Sequence, residues 1–487
     1  MGSRGAWQAS VMTAVIASAG MYVPAAIAGS TPSEAQLAHL VKQQSKQIQR
    51  LNARINKLEQ EEGHQNHSSS ASSTTAQNKP SKANLAKRVS KLEKSEKSNV
   101  KVNWSNGAPE LSSPNGHYTF GIGGRIQYDF SGTMGSHYNS RNIQGSDFRR
   151  IRLNAHGKIA GWLSYKSELD FAGNSVHIHD MYVAAQKQFA LGTGVVHIGS
   201  TFADSGLDGR TSSKWIWFVE RNTVAKAIDF QPGAYNIGLS TAFYGKHHDH
   251  ISFAVSDGSA GATAAHTSSN VVLRSRAHWD PIDIRNALLP GRTILHVGAN
   301  GYYENYNKNH QFSDNTIIAD HYNGNLRVSG PTLNAKSSTA YGFELAGLTG
   351  PFAADAEYGR LNVNARKGSN THIDAYSAQV GVSLTGEQFG YSTKQGVWTR
   401  PDIKNPVTEG GIGDWELMAR YQAINAHHDQ IDGGGTGHGT TVGLSWFPNN
   451  YLRVMLDDTV WHTNNHSGYY IGHDNGNTIT ARTQIAF

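Results

Sequence analysis

The fold class is decided by residues 150–159, which read RIRLNAHGKI. Polar side chains occupy the even-numbered positions, and apolar or small side chains occupy the odd-numbered ones. An alternation of period two is typical of a β-strand with one face towards water and the other towards an apolar phase. Residues 163–171 repeat the pattern. It suits a soluble sandwich with charges outside or a membrane barrel with charges inside.

The same texture continues from about His117 to the C terminus, where alternating stretches are separated by clusters of Gly, Asn, Asp and Ser. No long segment has the helical period of 3.6, so the region is predicted to be all-β. Only 38% of the chain is hydrophobic and 52 residues are glycine, which is little material for the cores of a multidomain enzyme. Cysteine is absent, which excludes disulfides and thiol chemistry.

The N terminus predicts export from the cytoplasm. Arg4 precedes an apolar run that ends near Ala19, and residues 26–28 (AIA) form a small-residue cleavage site. We therefore expect residues 1–28 to be a signal peptide. The run is shorter than the roughly 20 residues of a spanning helix. No later window approaches that length, so membrane insertion would use a closed β-barrel, which also satisfies every backbone group.

Residues 29–62 are predicted to form a short coiled coil, because apolar positions recur at spacings of three and four. The predicted seam residues are Val41, Gln44, Ile48, Leu51, Ile55 and Leu58. A single amphipathic helix is the alternative. Residues 63–103 are predicted to be a flexible linker with a second short helical segment, and residues 104–487 the barrel domain.

The C terminus indicates the membrane. Residues 479–487 alternate, and the aromatic Phe487 ends their apolar face. This ending resembles the assembly signal of bacterial outer-membrane barrels, so the barrel assembly machinery and outer-membrane lipid are expected partners. The N-terminal segment would then lie in the periplasm. Aromatic residues beside turns, among them Trp446, Trp461 and Tyr469, are interpreted as interfacial girdles.

Several motifs in order resemble the phosphate-selective porin O/P family. They are FRRIRL at 148–153, YKSELDFAG at 165–173, DMYV at 180–183, TSSKWIWFVER at 211–221, LTGE at 384–387, WEL at 415–417 and GLSWFPN at 443–449. The resemblance implies a homotrimeric 16-stranded antiparallel barrel whose constriction is an inward-folded loop. It also implies passive diffusion of small anions such as phosphate or pyrophosphate.

Rings of Arg and Lys are what an anion pore requires. The predicted anion path consists of Arg149, Arg150, Arg152, Lys158, Lys166, Lys214 and Arg221, with Lys226 as a further cation that could join it. Their alternative role is general electrostatic lining, or ion pairing with neighbouring carboxylates. Family members commonly carry a GQFKEP run at the constriction loop, whereas residues 199–204 here read GSTFAD. Phe202 therefore stands where the family's lysine would be.

Other functions are weighed against a pore. A general diffusion porin and an envelope-tethering barrel remain alternatives, whereas an enzyme is not expected because no G-x-S-x-G motif is present. Residues 247–250 (HHDH) and 427–429 (HHD) contain histidine and aspartate, which are common metal ligands. They lie among predicted loop residues, so no metal site is predicted. No cofactor is expected. The net charge of +6 is spread along the chain, so no nucleic-acid partner is expected.

Overall fold

The structure, a computed structural model, describes residues 100–104, 107–257, 270–286, 289–308, 310–426 and 434–487. The predicted signal peptide, coiled coil and most of the linker lie outside these residues. The first described strands are β1 (Lys101–Asn103) and β2 (Glu110–Ser112), which pair with each other, and β2 also pairs with the first barrel strand. The β-structure thus begins at residue 101, slightly before the predicted boundary at 104.

Sixteen antiparallel strands form the barrel wall. They are β3 (Thr119–Met134), β4 (Gln144–Ile159), β5 (Leu163–Asp170), β6 (His177–Phe189), β7 (Gly192–Phe202), β8 (Tyr235–Gly245), β9 (Asp249–Asp257), β10 (Val271–Arg285), β11 (Arg292–Asn305), β13 (Arg327–Thr349), β14 (Phe352–Ala365), β15 (Thr371–Ser383), β18 (Asp414–Asn425), β19 (Gly435–Phe447), β20 (Leu452–Asn465) and β21 (Gly472–Ala486). Three other strands lie outside the wall: β12 (Gln311–Ile317) extends it beside β13, and β16 (Gly390–Ser392) pairs with β17 (Val397–Thr399) in a separate hairpin.

The barrel closes because its last strand pairs with its first. Each wall strand pairs with its neighbour along the chain, and β21 pairs antiparallel with β3, with Gln484 opposite Gln127. Closure removes the two sheet edges and pairs the backbone groups within the wall. The prediction of an all-β, 16-stranded antiparallel barrel is confirmed.

The wall inverts the usual distribution of polar and apolar residues. On β10, Arg274, Arg276 and His278 are buried inside the barrel, whereas Leu273 and Trp279 on the other face are about half exposed, at 48% and 52%. An outward apolar face with an inward polar face is the arrangement of a barrel surrounded by lipid. In the described part of the chain, no helix is long and apolar enough to cross a membrane.

Two long connections fold into the lumen from opposite mouths. The first inward segment, residues 203–234, joins β7 to β8 and contains the short helix α1 (Leu207–Arg210) and a π-helical turn (Ala225–Asp229). The second inward segment, residues 384–413, joins β15 to β18 and contains the β16–β17 hairpin and a 3₁₀ turn (Val407–Glu409). It enters at the mouth where β3 begins and β21 ends. Two other 3₁₀ turns lie at Asn139–Arg141 and Ala172–Asn174.

The two inward segments meet in an apolar cluster inside the barrel. Trp217 of the first segment packs on Phe389 and Trp398 of the second, with ring centroids 4.7 and 4.8 Å apart. The backbone N–H of Trp398 also donates to Oγ1 of Thr211 at 3.1 Å. This contact fills one part of the lumen and leaves an open cavity beside another part of the wall.

Candidate functional site

The cavity lies between the first inward segment and the wall formed by β3 to β10, with residues 395–399 of the second inward segment at one side, and it has a volume of about 670 Å³. Nine cationic side chains line it against four carboxylates, so the lining carries a formal excess of five positive charges with histidine neutral. The cations are Arg125, Arg149, Arg150, Arg152, Lys166, Arg210, Arg221, Lys226 and Arg274, and the carboxylates are Glu168, Asp180, Asp204 and Glu220.

The alternation of β4 brings Arg150 and Arg152 to the cavity. Arg152 is an ion-paired residue, since its Nε lies 2.7 Å from Asp170 Oδ2 and its Nη1 lies 3.2 Å from Glu168 Oε1. Arg150 donates through Nη1 to the side-chain oxygen of Gln127 at 2.8 Å, and its Nε has no hydrogen-bond partner. Arg150 therefore keeps more of its charge available to the cavity.

Arg149 and Lys166 also line the cavity, and both are paired. Arg149 makes a bidentate contact with Glu220, at 2.7 and 3.2 Å. Lys166 Nζ lies 2.6 Å from Asp180 and 3.6 Å from Glu168. Both side chains are 27% exposed to the water-filled cavity. Because each is paired with a carboxylate there, we expect each to contribute little to anion selectivity.

The first inward segment supplies Arg221 from the opposite side. Arg221 donates to the backbone oxygens of Asp208 and Thr211, which orders the segment around its guanidinium. That guanidinium lies over the ring of Phe202, 5.6 Å from its centroid, as does that of Arg210 at the same distance. The aromatic residue at the family's lysine position is thus covered by two arginines. Cation–π contact of this kind holds a guanidinium over a ring.

Lys226, also on the first segment, bridges to the connection between β11 and β13. Its Nζ donates to the backbone oxygens of Ile317 and Ala319, at 3.2 and 2.9 Å. Burial lowers the pKa of Lys226 to about 8, while the nearby Glu220 acts in the opposite direction. The charge of this cavity residue is therefore sensitive to moderately alkaline pH.

Two residues of the predicted path lie outside the cavity lining. Lys158 is exposed near the end of β4, at the mouth where β3 begins, and its backbone N–H donates to Thr119. Lys214 Nζ lies 3.4 Å from the backbone oxygen of Phe487. Burial lowers the pKa of Lys214 to about 8, with Arg125 acting in the same direction. The structure thus brings Arg149, Arg150, Arg152, Lys166 and Arg221 together and separates Lys158 and Lys214 from them.

Arg274 is the main residue that the sequence analysis missed. It is 6% exposed and faces the cavity from β10, and neither terminal guanidinium nitrogen has a hydrogen-bond partner among the described residues. Its guanidinium lies 5.7 Å from the ring centroid of Tyr302. The alternation of residues 271–280 was visible in the sequence and could have identified it, as it identified Arg150. Arg125 and Arg210 were also missed.

A different set of arginines holds the first inward segment in place. Arg453 donates to the backbone oxygens of Ile216 and Trp217 at 2.7 and 2.9 Å, and Arg420 donates to that of Glu220 at 2.9 Å. Arg482 donates to the backbone oxygen of Val219 at 2.6 Å. Arginine has five donors and no acceptor, so it is well suited to satisfying the carbonyls of an irregular buried segment.

The comparisons with known proteins agree with this architecture. A family model described as "Phosphate-selective porin O and P" matches residues 120–487. The chain belongs to this family. It is therefore an outer-membrane porin, and the sequence resemblance is confirmed over the whole barrel.

Two relatives and one solved structure illustrate the similarity of the porin to known proteins. Porin O of Pseudomonas aeruginosa is 24% identical over 432 residues, which cover 79% of this chain and 92% of that protein. An uncharacterized protein of Caulobacter vibrioides is 25% identical over 370 residues, covering 74% and 71%. The anion-selective porin of Comamonas acidovorans is 10% identical with a TM-score of 0.46, covering 76% of this chain and all of that one.

The C-terminal residue of the porin closes the barrel seam. Phe487 exchanges backbone hydrogen bonds with Gly124 at 2.7 and 3.1 Å, and its ring lies over that glycine. A Cβ at Gly124 would lie 2.6 Å from the backbone oxygen of Arg152 and 2.9 Å from the Phe487 ring, so only glycine fits. Phe487 thus lies on the outward, apolar face, as its alternation predicts.

The predicted aromatic girdle is only partly present. Trp415 and Trp446 stack on the outward face with centroids 5.3 Å apart, and both indole nitrogens donate to the backbone oxygen of Ile412. Trp461 is instead fully buried in the lumen, where its indole nitrogen donates to Thr478 at 3.1 Å. The girdle interpretation was wrong for Trp461, because its position on β20 points inwards.

The predicted loop histidines also separate. His250 lies on β9 with its side chain buried inside the barrel, whereas His247 and His248 stay at the β8–β9 turn. Residues 427–429 lie outside the described residues. Among the described residues, two groups of three could hold a metal ion: His278, Asp280 and His296, and Asp129, Glu220 and His321.

Proposed function

We propose that this porin passes small inorganic anions, phosphate and pyrophosphate among them, through the cavity beside the first inward segment. The observation that carries the proposal is the excess of cations in the lining, with Arg150 and Arg274 facing the cavity and having no carboxylate within ion-pair distance among the described residues. The path residues are those of the lining, so Arg125, Arg210 and Arg274 join the six cations named from the sequence that reach it, Lys226 among them.

The physical basis is the cost of a buried charge without a counter-charge. An unpaired ion in a poorly hydrated site loses solvation that only an opposite charge restores. A passing anion supplies that charge, and the planar fork of a guanidinium binds phosphate oxygens through two parallel hydrogen bonds. The four lining carboxylates keep the binding weak enough for release, which conduction requires.

Planar-bilayer recording tests the proposal. Purified porin is placed in asymmetric potassium chloride, and the reversal potential gives the chloride-to-potassium permeability ratio. We expect the ratio to favour chloride, and millimolar phosphate to reduce the chloride current by occupying the same cations. A ratio that favours potassium would contradict the proposal.

A general diffusion porin is the second candidate. It is favoured by Phe202, which occupies the position where the family commonly has a lysine. In that case chloride would still be preferred, because the net charge of the lining is positive, but phosphate would not block the chloride current. The phosphate experiment therefore separates the two candidates.

The remaining features of the proposal concern the surroundings of the barrel. We infer a homotrimer in outer-membrane lipid, inserted by the barrel assembly machinery, with the N-terminal segment in the periplasm. Family membership and the outward apolar face support this arrangement. Transport by diffusion needs no chemical turnover, so we expect no enzymatic activity from the purified trimer.

A further inference from the structure

Three histidines form a row inside the barrel beside the anion cavity, and the first of them, His250, has its Nε2 3.3 Å from the lining residue Asp204. His250, His278 and His296 lie on the neighbouring strands β9, β10 and β11, and their successive ring centroids are 5.1 and 5.3 Å apart. All three are at most 4% exposed. The β16–β17 hairpin of the second inward segment covers them, with the ring of its Tyr391 6.0 Å from that of His296.

The hydrogen bonding of this row is incomplete. Neither ring nitrogen of His278 has a hydrogen-bond partner, and Asp280 Oδ2 has none either. His278 and Asp280 are 4% and 3% exposed. Buried polar atoms are nearly always paired, and leaving one unpaired costs about 1–3 kcal/mol. One nitrogen of a neutral imidazole is an N–H donor, so one His278 nitrogen and Asp280 Oδ2 are left with unpaired lone pairs that a cation would accept.

The neighbour His296 has one ring nitrogen held by a carboxylate and the other beside Asp280. Its Nδ1 lies 3.0 Å from Asp280 Oδ1, and its Nε2 lies 3.2 Å from Glu344 Oε2. An imidazole that binds a metal through one nitrogen usually donates from the other to a carboxylate. The hydroxyl of Tyr391 donates to Asp280 at 2.9 Å, which supports the second ligand in the same way.

The charges distinguish this cluster from the other candidate group. Arg276 holds Glu344 in a bidentate pair at 2.9 and 2.6 Å, so Glu344 is neutralised and Asp280 is not paired with an arginine or lysine among the described residues. In the group of Asp129, Glu220 and His321, both carboxylates are held by arginines. A cation is therefore less favoured there.

We propose that His278, Asp280 and His296 bind one divalent transition-metal ion of the zinc, cobalt or nickel class. Two imidazoles and one carboxylate suit these borderline ions and not magnesium or calcium, which prefer oxygen. The candidate ligand atoms lie within 4.8 Å of one another. Tetrahedral zinc with ligands at about 2.1 Å places them about 3.4 Å apart, so small side-chain rotations complete the site.

The metal would fix the second inward segment to the wall. Tyr391 reaches both Asp280 and His296 through its hydroxyl, at 2.9 and 2.7 Å. On the same hairpin, Gly396 packs directly on His278: its φ is +58°, and a Cβ there would lie 2.5 Å from the imidazole ring. Side-chain and backbone contacts of the hairpin therefore converge on the proposed ligands.

Zinc content of the purified full-length porin tests the inference. The protein in detergent is treated with EDTA, loaded with zinc chloride, dialysed and measured by elemental mass spectrometry. We expect His278→Gln and Asp280→Asn each to retain about one zinc per chain fewer than the parent protein. Cobalt loaded in place of zinc should give a visible tetrahedral spectrum in the parent and not in His278→Gln.

The matched control is a second cross-strand histidine pair. His438 and His462 stack on the outward face with centroids 4.6 Å apart, and we expect the double change of both to glutamine to leave zinc content unchanged. Heat-modified gel mobility verifies that each variant is folded. If His278→Gln does not fold, Asp280→Asn is the ligand variant that tests the site. Equal zinc in the parent and a folded ligand variant would overturn the site, as would equal loss in the control. Neither result would alter the chloride-to-potassium ratio.

Discussion

The two sides of the lumen carry arginines at the same alternating positions and use them differently. On β4, Arg150 faces the open cavity and donates only to the neutral Gln127. On β20 and β21, Arg453 and Arg482 are 2% and 1% exposed and donate to backbone oxygens of the first inward segment. We call the β4 side of the lumen the cavity wall and the β20–β21 side the anchoring wall.

The difference shows that strand alternation determines only which face a side chain occupies. Whether its charge is available to a solute depends on what lies opposite. On the anchoring wall, carbonyl oxygens of residues 216–220 occupy the guanidinium donors. On the cavity wall, Arg150 Nε has no hydrogen-bond partner among the described residues, so the same residue type becomes part of a path for anions.

The largest effect is expected on the anchoring wall. Arg482→Ala removes both hydrogen bonds to Asp129, at 2.7 Å each, and leaves a carboxylate that is 1% exposed without its counter-charge. Breaking a buried ion pair in this way costs about 3–5 kcal/mol. We expect a lower denaturant midpoint for the folded barrel and a noisier open-channel current.

Arg149→Ala provides the control for that prediction. Arg149 pairs with Glu220, which Arg482 also contacts at 3.3 Å, but its side chain is 27% exposed. We expect a loss of about 1 kcal/mol or less, because Arg149 is partly exposed and Arg482 stays beside Glu220 as its counter-charge. If Arg149→Ala and Arg482→Ala lost the same free energy of unfolding, the two walls would not differ in how they hold the first inward segment.

The next effect is on selectivity and belongs to the cavity wall. Two charges about 8 Å from a passing ion, at a dielectric constant of about 80, contribute about 0.5 kcal/mol each. Each charge favours chloride and disfavours potassium by that amount, so Arg150→Ala with Arg152→Ala should lower the chloride-to-potassium ratio by about 30-fold, measured from reversal potentials. Lys158→Ala, outside the lining, should leave the ratio unchanged. An unaffected ratio in the double variant would count against the cavity as the conducting path.

A smaller effect is expected from Lys226 as pH rises. Its lowered pKa of about 8 means that the ammonium is charged below that pH and neutral above it. Glu220, Asp320, Arg420 and Arg149 are the charged groups that act on it. We expect the chloride-to-potassium ratio to fall between pH 7 and pH 9, and Lys226→Gln to flatten that change.

Lys214 is the matched comparison for the pH effect. Its pKa is also lowered to about 8, but it lies outside the cavity lining. Lys214→Gln should therefore keep the pH dependence of the parent protein. If Lys214→Gln flattened the profile and Lys226→Gln did not, the path would run elsewhere.

The smallest effect on conduction is expected from removing Phe487, which belongs to neither wall. Its ring lies outside the barrel over Gly124, so the lining stays intact. We expect less porin to reach the outer membrane, measured by heat-modifiable protein in membrane fractions, with single-channel conductance unchanged. Normal assembly with altered conductance would contradict the role of Phe487 as an assembly signal.

The sequence predicted the barrel well because a period of two is a local property. The alternation at 150–159 identified strand, face and charge together, and the C-terminal strand ended as expected. The same pattern could not reveal partners. Lys214 and Arg221 come from one motif, yet only Arg221 reaches the cavity, because the path of the first inward segment depends on contacts with distant strands.

The second inward segment was not predicted, for a related physical reason. Residues 384–413 carry no regular period, and the burial of Tyr391 and Trp398 depends on meeting Trp217 from the opposite mouth. Trp461 was misplaced similarly: a tryptophan beside polar residues suits a girdle, but its strand position faces an inward apolar cluster. Contacts inside a lumen are long-range in sequence, and one chain alone does not encode them as a pattern.

The seam between β21 and β3 has a consequence for the order of events during synthesis. Gln127 hydrogen-bonds to Gln484, and Asp129 to Arg482, across 357 and 353 positions of the chain. The edge of β3 that pairs with β21 therefore stays unpaired until β21 has been made, whereas its other edge can pair with β4. Contacts so distant in sequence form slowly, and unpaired strand edges favour aggregation. We therefore expect the chain to need protection from premature pairing until β21 has been made.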